Sequence, residues 1–158
     1  VEEKSSGKRL FLSGDLGNSP DELVQPTEVV DRADWVLMES TYGDRTHGEE
    51  NAKEVIAKII KDAESSDGVV LIPSFSIQRS QELLYMFDQL KKEGKMKNET
   101  RVFFDSPMAI KVTDFFRRYP EWYSDRLQMQ VKLDDPFDFP GLVLVERSEM
   151  SKQIKDEV

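Results

Sequence analysis

The run Asp67-Gly68-Val69-Val70-Leu71-Ile72-Pro73-Ser74 decides the fold. Four consecutive aliphatic residues between a turn dipeptide and a proline predict a short strand covered on both faces. Before it, Ala52, Val55, Ile56, Ile59, Ile60 and Ala63 recur at helical spacing. They predict a helix from Glu49 to Glu64, with Thr46 and Glu49 spaced as a capping box. After it, Leu83, Leu84, Phe87 and Leu90 form the inward stripe of a second helix, about Ile77 to Glu93, stopped at Gly94.

The same alternation extends in both directions. Lys8 to Leu12, Asp34 to Met38, Arg101 to Phe104 and Leu142 to Val145 each read as short apolar strands. Pro107 suits the first turn of a helix running to Arg118, which Tyr119-Pro120 breaks. A short segment follows near Trp122 to Leu127, then a loop with Asp134-Asp135-Pro136 and Phe139-Pro140-Gly141; Ser148 onward reads as a charged helical start. Repeated strand–helix units imply an α/β domain, a parallel sheet flanked by helices on both faces in three layers with right-handed crossovers.

Length and charge limit what such a domain can do. The chain has 158 residues, 22 Lys and Arg against 31 Asp and Glu, a net charge of −9, no Cys and a single His. One domain of this size buries roughly 70% of the surface its unfolded chain exposes. Without Cys there is no disulfide framework, thiolate zinc site or Cys nucleophile, and one His excludes a His-rich metal cage built from this chain alone. No apolar run approaches the roughly 18–20 residues of a membrane span and no signal peptide opens the chain, so a cytoplasmic setting without membrane association is expected. The acidic balance argues against clamping nucleic acid by bulk charge, so any such role rests on a few placed basic residues or on another segment.

In a parallel sheet, ligands gather beyond the carboxyl ends of the strands. Three such junctions read alike: Met38-Glu39-Ser40, Ile72-Pro73-Ser74 and Phe104-Asp105-Ser106. Their hydroxyls can cap a following helix or bond a phosphate. Asp15, between Gly14 and Gly17, lies just past the first strand, where a turn-forming role competes with a site role. Glu39 ends the second strand, and an ion pair with Arg45 or Arg79 competes with a functional role. Arg79 near a helix N-terminus opposes the helix dipole, which favours anion binding or pairing with Glu39. His47 alone reads as a surface or capping residue as readily as a functional one.

Taken in order, Gly14-Asp15-Leu16-Gly17, then Glu39-Ser40-Thr41-Tyr42-Gly43-Asp44-Arg45-Thr46-His47, then Pro73-Ser74-Phe75-Ser76 with Arg79, Gln81, Glu82 and Leu83, then Asp105-Ser106-Pro107-Met108-Ala109 form a familiar set. It resembles the β-CASP group of metallo-β-lactamase-fold ribonucleases, RNA 3′-end cleavage endonucleases among them. The resemblance covers about Arg9 to Ala109, and the tail from Val145 is similar to the stretch preceding the family's later His motifs. Ser76-Ile77-Gln78 departs from the family's common run.

That resemblance implies a zinc-dependent hydrolase of RNA phosphodiester bonds. Asp15 corresponds to a carboxylate bridging two zinc ions, and Glu39 to an acid that orients a His aiding the leaving group. Ser40, Tyr42, Arg45, His47, Ser74, Phe75, Arg79 and Ser106 would line the RNA path. It also implies that residues 1–30 are a metallo-β-lactamase-domain remnant with linker, and that 31–158 are a truncated β-CASP domain. The family's His-x-His-x-Asp-His motif and later His residues are not in this sequence. Both ends therefore read as cut, and this piece alone is expected to hold no metal pair and to be inactive. RNA is the expected partner, and a homodimer of the full-length enzyme is a further expectation. The alternatives are a DNA-processing relative, or a non-catalytic interaction or nucleotide-binding α/β domain; no G-x-G-x-x-G or P-loop run supports the last.

Overall fold

The computed structural model describes residues 1–16, 22–46, 48 and 50–154. His47, Gly17 and Glu49 lie outside the described residues. The elements are β1 (Leu10–Leu12), β2 (Trp35–Leu37), α1 (Ala52–Ser66), α2 (Arg79–Lys92), β3 (Val102–Phe104), α3 (Pro107–Arg118), a 3-10 turn (Pro120–Trp122), α4 (Asp125–Gln130), β4 (Leu142–Leu144) and α5 (Ser148–Gln153). The fold is mixed α/β with parallel strand pairs. β1 pairs with β2 (Phe11 opposite Val36), and β3 pairs with β4 (Phe103 opposite Val143).

The core forms around α2, which buries Leu84, Phe87 and Leu90 against Met96, Leu127, Phe137 and Phe139. Edge-on ring contacts interlock it: Phe87 with Phe139 at 6.4 Å, and Phe137 with Tyr123 at 6.2 Å. Residues 22–25 dock onto this core. Leu23 is fully buried, and Ser124 Oγ donates to Glu22 O at 2.6 Å. α3 follows its sequence signals closely: Pro107 opens it, and Ser106 Oγ caps it by accepting Ala109 N–H at 3.2 Å.

Four expectations need correction. Val69–Ile72 forms no strand among the described residues, and Leu71 is 88% exposed. The apolar run encodes burial, but nothing described supplies a ladder partner. Trp35, Val36 and Leu37 do pair with β1, yet they are 52, 60 and 66% exposed rather than covered on both faces. For the same reason the α1 stripe is only half used. Ile60 and Ala57 are buried, whereas Val55 and Ile59 face outward.

Finally, α1 starts at Ala52 and not Glu49, capped by Asn51 rather than Thr46. Asn51 Oδ1 accepts the N–H groups of Lys53 (3.0 Å) and Glu54 (3.4 Å). Lys53 in turn reaches α2, donating to Gln89 Oε1 at 3.0 Å and pairing with Glu93, which ties the first turn of α1 to α2. Asn51→Ala is expected to cost about 1 kcal/mol in urea unfolding; no change would assign the cap elsewhere.

Strands β1 and β2 fall either side of the boundary expected between residues 30 and 31, and they pair in one ladder.

Candidate functional site

The carboxyl ends of β1 and β2 are stitched together by Ser13. Its N–H donates to Leu37 O at 3.0 Å, its Oγ accepts Glu39 N–H at 3.0 Å, and the same hydroxyl donates to Gly14 O at 2.7 Å. Gly14, at φ +57°, turns the chain so that Asp15 and Leu16 come back over the end of β2.

The Glu39 carboxylate accepts Thr41 N–H at 3.0 Å, and further hydrogen bonds from the Thr41 hydroxyl and Leu16 N–H reach it. These bonds, Thr41's backbone first, hold its pKa below the ordinary glutamate range. A carboxylate kept ionised in this way is an acceptor at neutral pH, suited to orienting a cationic or N–H-bearing group. Asp15, one residue from the Leu16 N–H, shares this rim and is exposed.

Glu39 forms an ion pair with neither arginine proposed for it. Arg45 Nε pairs with Asp44 at 3.1 Å, and its guanidinium lies 5.9 Å from the Tyr42 ring centroid. Arg79 pairs with Glu82 at 2.6 Å, one helical turn along. That acid offsets the unfavourable placement of a cation at the start of α2. Ser40 begins the tight turn that carries Tyr42 and Arg45, its carbonyl accepting Gly43 N–H at 3.0 Å.

A second cluster joins the loop before α2 to the start of α3. Ser74 and Ser80 hydroxyls lie 3.1 Å apart, and Ser80 Oγ donates to Phe75 O at 2.6 Å. Gln78 takes φ +60°, ψ −60°, closed by Arg79 N–H donating to Ile77 O at 2.8 Å. This is a γ-turn of the strained, positive-φ kind. Phe75 and Ile77 are thereby thrown outward to solvent. Gln81, fully buried, ties the loop to α3. Its Nε2 donates to Thr113 Oγ1 at 2.9 Å and also approaches Ser76 O (3.3 Å) and Ala109 O (3.4 Å). The loop that carries Ser74 and Phe75 is thus tied, through Ser80 and Gln81, to the first turns of α3, the helix that Ser106 caps.

The expected site therefore resolves into separate parts. Asp15 and Glu39 share a rim with Ser40, Tyr42 and Arg45, while Ser74, Phe75 and Arg79 lie on and just after the loop into α2 and Ser106 caps α3. Sequence reasoning gave no role to Ser13 or Thr113, and quoted Gln81 only as part of a motif. Gln81 has a visible signal, a polar residue at i−3 to Leu84 on the buried stripe of α2. Ser13 has none beyond its place at the strand end.

The residues described do not fit a metal pair by themselves. Among them no three His, Cys, Asp or Glu side chains converge, and Glu39's carboxylate is occupied by N–H donors.

The family profile described as Beta-Casp domain matches residues 80–158. A ribonuclease of Thermus thermophilus, Ribonuclease TTHA0252, is 35% identical over 157 residues, covering 98% of this chain and 36% of the relative. Cleavage and polyadenylation specificity factor 73 of Drosophila melanogaster is 26% identical over 136 residues, covering 85% and 20%. Endoribonuclease YSH1 of Kluyveromyces lactis is 28% identical over 144 residues, covering 87% and 19%. The chain thus spans about a third of the bacterial relative's length and about a fifth of the eukaryotic ones. With the profile match covering half of the residues, the chain belongs to the Beta-Casp family, and its similarity to the ribonuclease of Thermus thermophilus runs along nearly all of it.

Proposed function

We propose that this chain contributes the RNA-facing rim of a ribonuclease that hydrolyses phosphodiester bonds. The observation that carries the reading is the Ser13 stitch, which sets Asp15 and the ionised Glu39 on one edge of one strand pair. Relatives named ribonuclease and endoribonuclease support RNA as the substrate.

In this reading Glu39 orients a group that protonates the leaving oxygen. Ser40, Tyr42, Arg45 and His47 on one side, and Ser74, Phe75, Arg79 and Ser106 on the other, take the RNA backbone. Hydroxyls and guanidinium groups supply the donors that phosphate oxygens accept.

Zinc dependence belongs to the proposal for the whole protein. Asp15 would give one carboxylate, and the other ligands would come from outside the described residues. The 158 residues alone are accordingly expected not to cleave RNA with zinc added. Proposed on the resemblance are a three-layer domain, a metallo-β-lactamase-like portion within residues 1–30 followed by a truncated β-CASP domain over 31–158, a homodimer and a cytoplasmic setting.

The experiment is hydrolysis of matched single-stranded RNA and DNA by the whole protein. RNA cleavage is expected, and preference for DNA, or cleavage of neither, contradicts the proposal. Within it, Arg79→Gln is expected to weaken RNA binding and to lower the slope of log affinity against log salt by about one. An unchanged slope would leave Arg79 only as the partner of Glu82.

A further inference from the structure

The outer face of α3 carries an exposed stripe that neither the fold nor the rim uses. Met108, Phe115 and Tyr119 stand at i, i+7 and i+11, one line along the helix. Phe115 is 59% exposed and Tyr119 42% exposed, and Met108 and the following Trp122 are exposed as well. Solvent-facing aromatics this close together are unusual on a helix whose opposite face already meets the core through Ala109, Ile110, Thr113 and Phe116. The Phe115 and Tyr119 rings lie 4.6 Å apart, tilted by 42°. Each ring braces the other and leaves one face open.

The charges beside them are positive. Lys111 and Arg118 sit four residues before and three after Phe115, so both neighbour its ring on the helix surface. Both are exposed, and neither makes an ion pair among the described residues. Asp114, the acid on this helix, is taken up by Arg117, which also holds Asp135. On a chain of net charge −9, an aromatic pair flanked by two uncommitted cations is a local reversal of sign.

We propose that this face is a stacking platform for single-stranded RNA, receiving the strand as it leaves the serine loop at the start of α3. It rests on the RNA reading of the rim and extends it. Ser106 caps the first turn of α3, and the stripe begins two residues later at Met108, so a strand bonded at the Ser106 hydroxyl meets ring faces farther along the same helix. Bases of any identity stack on aromatic faces, while Lys111 and Arg118 meet the phosphates. The platform therefore selects unpaired RNA over duplex, and shows little sequence preference.

The test uses the whole protein and fluorescent oligouridylate, with duplex RNA of equal length alongside. Phe115→Ala with Tyr119→Ala is expected to weaken oligouridylate binding about tenfold to a hundredfold and to change duplex binding little. Lys111→Gln with Arg118→Gln is expected to lower the salt slope by about two. Phe115→Trp restores the platform and is expected to keep affinity, its fluorescence quenched when RNA is added; this guards against loss through misfolding.

If the wild type binds RNA and Arg79→Gln weakens it, but the Phe115/Tyr119 variant binds as wild type, the platform falls and the rim stands. If the wild type binds no RNA, both fall. If the double alanine variant instead dissociates a dimer, seen by sedimentation, with RNA affinity unchanged, the face is a contact between copies and the platform is overturned.

Discussion

Replacing Gly141 with alanine is expected to destabilise the protein by about 4 kcal/mol, one of the largest effects of any single methyl group in this chain. Gly141 has φ +85°, a region that side chains rarely adopt, and an added Cβ would stand 2.5 Å from Thr100 O and 3.1 Å from Asn98 O. Both contacts are backbone and cannot swing away. They are also two of the three carbonyls that accept from Lys91 Nζ, at 2.8 Å for Lys97 and Thr100 and 3.2 Å for Asn98.

Lys91 is buried and its ammonium has three carbonyl acceptors there, so displacing the loop strands a charge away from water. Gly141 O also accepts Val102 N–H at 2.9 Å, the bond that opens the β3–β4 ladder. With a urea slope of about 2 kcal/mol per molar, the midpoint falls by about 2 M. Gly48→Ala, with open space around the position, serves as the control and is expected to stay within about 0.5 kcal/mol. A Gly141→Ala midpoint close to the wild type would show that the loop yields easily, and would remove the Lys91 cage from the account of stability.

The second large effect is on turnover. In the whole protein, Asp15→Ala and Glu39→Gln are each expected to lower kcat/KM on single-stranded RNA by about a hundredfold or more, with the melting temperature within about 2 °C of wild type. The folding side of this expectation follows from exposure. Asp15 lies at the surface, and Glu39→Gln keeps the oxygen that accepts Thr41 N–H. The catalytic side follows from ionisation. Glutamine cannot hold the negative charge that Thr41 and Leu16 maintain on Glu39, so it orients a cationic partner poorly. Wild-type rates from either variant would take that residue out of the site.

Much of the helical framework was legible because its signals are local. Pro107 and Ser106 start α3, the Leu84–Phe87–Leu90 stripe buries α2, and the αL residue Asp67 closes α1 just where Asp67-Gly68 marks a turn. The strands were legible only as apolar runs. Such a run states that a segment is to be covered, not by what. Hence Trp35–Leu37 and Val69–Ile72 were read correctly as apolar, yet they stand exposed among the described residues.

The site was legible as motifs, and its wiring was not. Which arginine meets which acid is decided by helix spacing: Glu82 is one turn from Arg79, and Asp44 is adjacent to Arg45. Gln78 shows the same limit from the backbone side. Its positive φ has no glycine to announce it, and arises from Ser80 and Gln81 holding the Phe75 and Ser76 carbonyls.

The central claim is that the rim formed by the ends of β1 and β2, together with the loop leading into α2, faces RNA. Photo-crosslinking of 4-thiouridine-substituted single-stranded RNA to the whole protein, with the attached peptides read by mass spectrometry, tests it most directly. The account expects crosslinks within residues 13–16 or 39–45 and within 74–79, lost in high salt and reduced in Arg79→Gln. Robust crosslinks at neither stretch, in a protein that binds and cleaves RNA, would contradict it.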